Sequence, residues 1–141
     1  MRPLRIAQVS ADRGIDPHGT KGASQHLRGI AAGLTDLGHH VETYTARPTG
    51  GTFPTRVRHL DALPSATDID VVYERLSLDH RSGLEYARRL GVPFVLEVNA
   101  PLVDEAERHR PDSVTLGDRG TEIELLRAAD LVISVSSALT R

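Results

Sequence analysis

Three groups of polar residues have the types and spacing to bind or transform a ligand. The first is the run Gly14, Asp16, Gly19, Thr20, Lys21 and Gly22, which leads into a segment with apolar residues at helical spacing. A helix start presents free N–H groups and about half a positive charge. Gly19 and Gly22 would let an anion reach that backbone without meeting a Cβ, and Lys21, the single lysine, adds a formal charge. The stretch reads either as a site for a phosphate-type anion or as a long surface loop that turns the chain. It is not a standard nucleotide signature. Gly14 and Gly19 have the P-loop separation, but Thr20 precedes Lys21 where Lys must precede Ser or Thr, and no G-x-G-x-x-G occurs. The second group is Glu74-Arg75, which either holds a polar ligand or forms an ion pair or capped turn. The third is Glu97 with Asn99, at the exit of an apolar strand. A lone carboxylate there would be costly, so Glu97 is expected to be paired with an arginine or hydrogen-bonded.

Other chemistries lack their residues. The 7 histidines are scattered, His39 and His40 are adjacent, and His109 lies among charges, so no metal-ligand spacing forms and no metal or cofactor is expected. No Ser sits in a G-x-S-x-G elbow. A net charge of -2 leaves no electrostatic footprint for nucleic acid. No apolar run approaches membrane-spanning length. The first strand begins without a signal-peptide core and there are no cysteines, so a cytoplasmic location is expected.

The elements that must position these groups follow from periodicity. Leu4 to Val9 is a buried strand; Leu27, Ile30, Ala31 and Leu34 form a helical face that Gly38 terminates. Strands are expected at Val41–Thr45, around Val57 and His59, at Asp70–Tyr73, at Pro93–Val98 and at Leu131–Val135. Leu84, Ala87 and Leu90 give a second helix stopped by Gly91. Leu102 to Arg110 is expected as a solvated helix. A further helix at Thr121–Ala129 is expected to turn Ile123, Leu126 and Leu125 inward, and Ser136 or Ser137 to cap another. Alternating strands and helices argue for one α/β domain over 1–141, a mostly parallel sheet covered on both faces. Ligands bind beyond the carboxyl ends of such strands, where all three polar groups would gather.

Those residues, taken in order, resemble a known family. Lys21-Gly22-Ala23-Ser24 opens a helix that ends Leu37-Gly38-His39-His40-Val41. Tyr73-Glu74-Arg75-Leu76-Ser77 is followed by Leu90-Gly91-Val92-Pro93 and Leu96-Glu97-Val98-Asn99-Ala100-Pro101-Leu102. Ala128-Ala129-Asp130 then leads to Val135-Ser136-Ser137. Over nearly the whole chain this resembles the N-terminal domain of family 4 retaining nucleotide-sugar glycosyltransferases, two-domain enzymes of GT-B fold.

The resemblance implies a Rossmann-like three-layer sandwich, the acceptor-side half of an enzyme that moves a sugar from a nucleotide-diphosphate donor to an acceptor hydroxyl with retention. It implies that Gly19, Lys21, Gly22, Ala23 and Ser24 lie beside phosphates and that Glu74, Arg75, Glu97 and Asn99 contact substrate. Asn99 stands where the family commonly has a histidine, so no catalytic residue is carried over. The E-x7-E motif belongs to the C-terminal donor domain; Glu97 and Glu105 have that spacing but span Pro101 without a glycine-rich lead. The missing donor domain is then the chain's partner, and 1–141 alone is expected to be inactive. Leu131 to Val135 is apolar on both faces, so the isolated chain is expected either to self-associate or to be much less stable than a full enzyme. The alternative is a stand-alone, non-catalytic module that binds a phosphorylated or sugar ligand.

Overall fold

The computed structural model describes residues 1–78, 80–113 and 116–135. Its centre is a six-stranded sheet of β1 (Arg5–Ser10), β2 (His40–Thr45), β3 (Arg56–His59), β4 (Val71–Arg75), β5 (Phe94–Val98) and β6 (Leu131–Ser134), ordered β3-β2-β1-β4-β5-β6. Every pairing is parallel. Helix α1 (Gly22–Asp36) joins β1 to β2, α2 (Ser82–Leu90) joins β4 to β5, and α3 (Leu102–His109) and α4 (Leu116–Ala128) join β5 to β6. The chain grows outward from β1 in one direction and from β4 in the other. Right-handed crossovers therefore put α1 on one face and the later helices on the opposite face. This is the expected α/β Rossmann-like three-layer arrangement, with a wholly parallel sheet.

The two faces are held by different forces. Opposite α1, Ala7, Val9, Val72, Phe94 and Leu96 pack against Leu84 and Ala87 of α2 and Leu125 of α4. Each fully buried Val, Leu or Phe of this kind stabilises by about 1.5–3 kcal/mol, an alanine by less. Beneath α1 the sheet mixes polar residues with apolar ones such as Ile6. Gln8 donates from Nε2 to the Leu27 carbonyl (3.1 Å) and accepts at Oε1 from Thr43 Oγ1 (2.7 Å), which also meets Thr55 Oγ1 (2.7 Å). The two stops hold as expected: Gly38 and Gly91 follow their helices at φ 92° and 68°, where a side chain would be strained.

Several expectations need correction. Glu74 and Arg75 do not follow β4; they are its last two residues, kept extended because β1 and β5 continue alongside, Ser10 and Glu97 both standing opposite Arg75. Helix α4 begins at Leu116, before Thr121, and of the three residues expected to turn inward one does so. Leu125 is wholly buried while Ile123 and Leu126 are 42% and 39% exposed. The buried row is Asp118, Thr121 and Leu125, at three- and four-residue spacing, so polar members hid it. Helix α3 is not simply solvated, since Val103 and Ala106 are buried. A 3-10 turn at Leu60–Ser65, unforeseen, buries Leu63 in the core. The suggested cap at Ser136 or Ser137 lies outside the described residues. Strand β6 is exposed at the sheet edge, Leu131 and Ile133 at 54% and 37% and Val132 at 42%.

Candidate functional site

The strand order reverses between β1 and β4, and in open parallel sheets the crevice beyond such a reversal is where ligands bind. A cavity of about 350 Å³ stands there. Asp12 from the end of β1, Ser77, Leu78 and His80 from the segment after β4, and Leu102, Glu105, Ala106, His109 and Arg110 from α3 and its end line it. Carboxylates, imidazoles and a hydroxyl around a small aliphatic floor suit a polyhydroxylated ligand, which needs many hydrogen-bond partners and some C–H contact. A larger cavity of about 430 Å³ lies at the amino ends of the strands, but its cations are occupied: Arg5 with Asp68, Arg56 and Arg58 with Glu42. The topology favours the smaller one.

On the α1 side of the same edge, Glu97 gathers a polar cluster. Its carboxylate is 2% exposed and accepts from the Tyr73 hydroxyl, from Arg75 Nη1 (3.5 Å) and contacts His26 Nε2 (3.0 Å). This is the pairing expected of Glu97, with two partners more. Burial, then the hydrogen bond to Glu97, pushes the Tyr73 phenol far up, so Tyr73 remains a donor. The cluster closes tightly with Gln8, Leu27 and Ile30, leaving no room for a ligand inside. It ties α1 to β4 and β5 at the rim of the crevice.

The glycine loop is braced rather than open. Arg28 reaches back from α1 to donate to the carbonyls of Pro17 (2.7 Å) and Gly19 (2.8 Å). Asp16 accepts from the His18 amide (2.9 Å) and Thr49 Oγ1 (2.7 Å); the Thr49 bond first, then the His18 amide, hold its carboxyl below the usual range. A Cβ on Gly19 would crowd Ser24 Oγ at 2.9 Å and the Asp16 carbonyl at 3.1 Å. Gly22 meets nothing within 4 Å, so its openness faces outward. Lys21 is exposed, Ala23 is half-buried and Ser24 is 2% exposed. Lys21 occupies the N-cap of α1 without a side-chain cap, and the first turn carries no acidic residue.

Of the residues singled out in the sequence, Arg75 and Glu97 are brought together and Gly19 to Ser24 form one turn. Glu74 is separated from Arg75, as neighbours on a strand must be. It points to the opposite face, fully buried under the start of α2. Asn99 follows β5, its Oδ1 buried without a partner among the described residues. His26, Tyr73 and most of the cavity lining were missed. The signals were present: His26 is a polar residue beside Leu27 on the inner side of α1, and Leu102, Glu105, Ala106 and His109 share one face of α3.

No family model and no curated protein matches the chain by sequence. Among solved structures, a sucrose-phosphate synthase from Thermosynechococcus elongatus is similar at TM-score 0.64 and 13% identity, over 92% of this chain and 41% of the synthase. A phenylacrylic acid decarboxylase from Aquifex aeolicus is similar at TM-score 0.52 and 15% identity, over 96% of this chain and 82% of the decarboxylase. The chain therefore spans less than half the length of the synthase it matches. At these identities the likeness establishes the fold.

Proposed function

We propose that residues 1–141 are the acceptor-side domain of a family 4 retaining glycosyltransferase that uses a nucleotide-diphosphate sugar and works in the cytoplasm. The observation that carries this reading is the polar cavity at the β1/β4 reversal, in a fold like that of part of a sucrose-phosphate synthase. The acceptor occupies that cavity, with Asp12, Ser77, His80 and Glu105 as hydrogen-bond partners for its hydroxyls. The uncapped start of α1, with Lys21 and the amides of Gly22, Ala23 and Ser24, faces the phosphates of the donor. Arg75 and Asn99 lie between the two, and Glu97 holds Arg75 in place. The donor pocket belongs to a second domain, so departure of the diphosphate is assisted mainly by groups outside this chain.

The test joins binding and transfer. Sugar phosphates and simple sugars are titrated into the chain while the amide signals of Ser77 and His80 are followed, and nucleotide sugars while those of Gly22 to Ser24 are followed. The whole reading frame is then assayed for transfer, with the anomeric configuration of the product read by NMR. Silence at both sets of amides, with no transfer by the whole protein, refutes the reading. Binding at the cavity without transfer by the whole protein establishes the alternative, a non-catalytic module.

A further inference from the structure

Glu74 lies in the most apolar layer of the molecule, yet it carries a carboxyl group. It is 0% exposed, and among the described residues no well-formed hydrogen bond reaches either carboxyl oxygen, the amides of Gly83 and Leu84 being the donors nearby. The side chain is wedged beneath the first turn of α2. A Cβ on Gly83 would stand 2.9 Å from the Glu74 carboxyl carbon, 3.2 Å from its Cβ, and closer still to Oε2. Its neighbours in register are Val9 on β1 and Leu96 on β5, both apolar and buried. From α2 the charge that bears on it is Glu85, of like sign. Arg81, just before α2, spends its guanidinium on Thr121 (3.0 Å) and Glu124 (2.9 Å) of α4. No cation answers Glu74 among these groups.

A buried carboxyl without a counter-charge is stable as the neutral acid. Burial is the dominant cause, and it pushes the Glu74 carboxyl up to about 8; the nearby amides of Leu84 and Gly83 pull the other way without overcoming it. The segment that joins β4 to α2 supplies Ser77, Leu78 and His80 to the cavity wall. In sequence, Ser77, Leu78 and His80 lie between Glu74 on β4 and the turn of α2 that packs on Glu74.

We propose that Glu74 is a positioning residue, a carboxylic-acid latch that seats the first turn of α2 and, through it, the wall of the cavity formed by Ser77, Leu78 and His80. Its role for a ligand rests on the reading of that cavity as the acceptor site, but the latch itself does not. Opening the turn exposes the carboxyl to water, where it loses its proton near the ordinary value of 4.5. Each opening between about pH 5 and pH 8 therefore releases a proton, and the closed state weakens as pH rises through that window.

Amide exchange reads this directly in the unliganded protein. In the wild type, exchange at Gly83 and Leu84 climbs about a hundredfold per pH unit across the window. Roughly tenfold comes from hydroxide catalysis and roughly tenfold from the released proton. In Glu74→Gln it climbs only tenfold. The carboxyl carbon of Glu74 titrates in the folded wild type with a midpoint near 8, and the amide signals of Ser77, Leu78 and His80 shift with it. A tenfold slope in the wild type, a carboxyl midpoint below 6, or wall amides that ignore the titration overturns the latch. The wild-type measurements decide even if Glu74→Gln fails to fold. Because no ligand is added, failure of the latch is distinct from failure of the cavity to bind.

Discussion

One carboxylate, that of Glu97, serves an imidazole, a phenol and a guanidinium at the rim of the sheet. Removing it strands three polar groups at once, and leaving donors unsatisfied costs more than a hydrogen bond contributes. Glu97→Ala should therefore destabilise by about 2–4 kcal/mol in urea denaturation. Arg75→Ala should cost less, since the Arg75 side chain is 17% exposed and the Tyr73 and His26 contacts to Glu97 survive. Equal losses for the two variants would count against Glu97 as the hub. Gly83→Ala is a second test at this scale. The added methyl would collide with the Glu74 carboxyl, and overpacking of this kind costs typically about 1–3 kcal/mol. Gly22→Ala, with open space around it, should be neutral or slightly stabilising, because alanine restricts the unfolded chain.

At the scale of elements, the loop before α1 is the one whose rigidity matters, because it fixes where the helix start points. Arg28→Ala removes both carbonyl contacts that hold Pro17 and Gly19. Faster amide exchange in residues 17–20 should follow, while α1 itself stays protected by Leu27 and Ala31. Unchanged exchange there would mean that the Asp16–Thr49 contact alone braces the loop. The strands, the two glycine-stopped helices and their order were legible in the sequence because apolar periodicity and glycine stops are local signals. The inward row of α4 was not, since Asp118 and Thr121 occupy positions a periodicity argument reserves for apolar residues. The extension of β4 through Glu74 and Arg75 was hidden for a related reason. Two charged residues read as a strand exit, and only the register with Ser10 and Glu97 keeps them in the sheet. The partners of Glu97 lay outside the reach of sequence altogether, His26 being 71 residues away.

For the whole molecule, β6 and the residue after it present four exposed aliphatic side chains, Leu131, Val132, Ile133 and Val135, at 54%, 42%, 37% and 49%. We expect sedimentation at rising concentration to reveal self-association, and Ile133→Lys to reduce it. A monomer at every concentration would show that this edge is tolerated bare. On the proposed reading residues 1–141 hold the acceptor side alone, and a single wall of a cleft can neither orient two substrates nor exclude water, so we expect no glycosyl transfer by them; turnover of any nucleotide sugar would refute this. The unequal faces of the sheet make the protein a composite of two thermal responses. Apolar burial carries the large heat-capacity change of folding and weakens on cooling. The layer of α2 and α4 rests on such burial, while the α1 layer is also stitched by the Gln8, Thr43 and Glu97 networks. Near freezing, the α2 and α4 layer should lose its grip first, while α1 remains fastened to the strands.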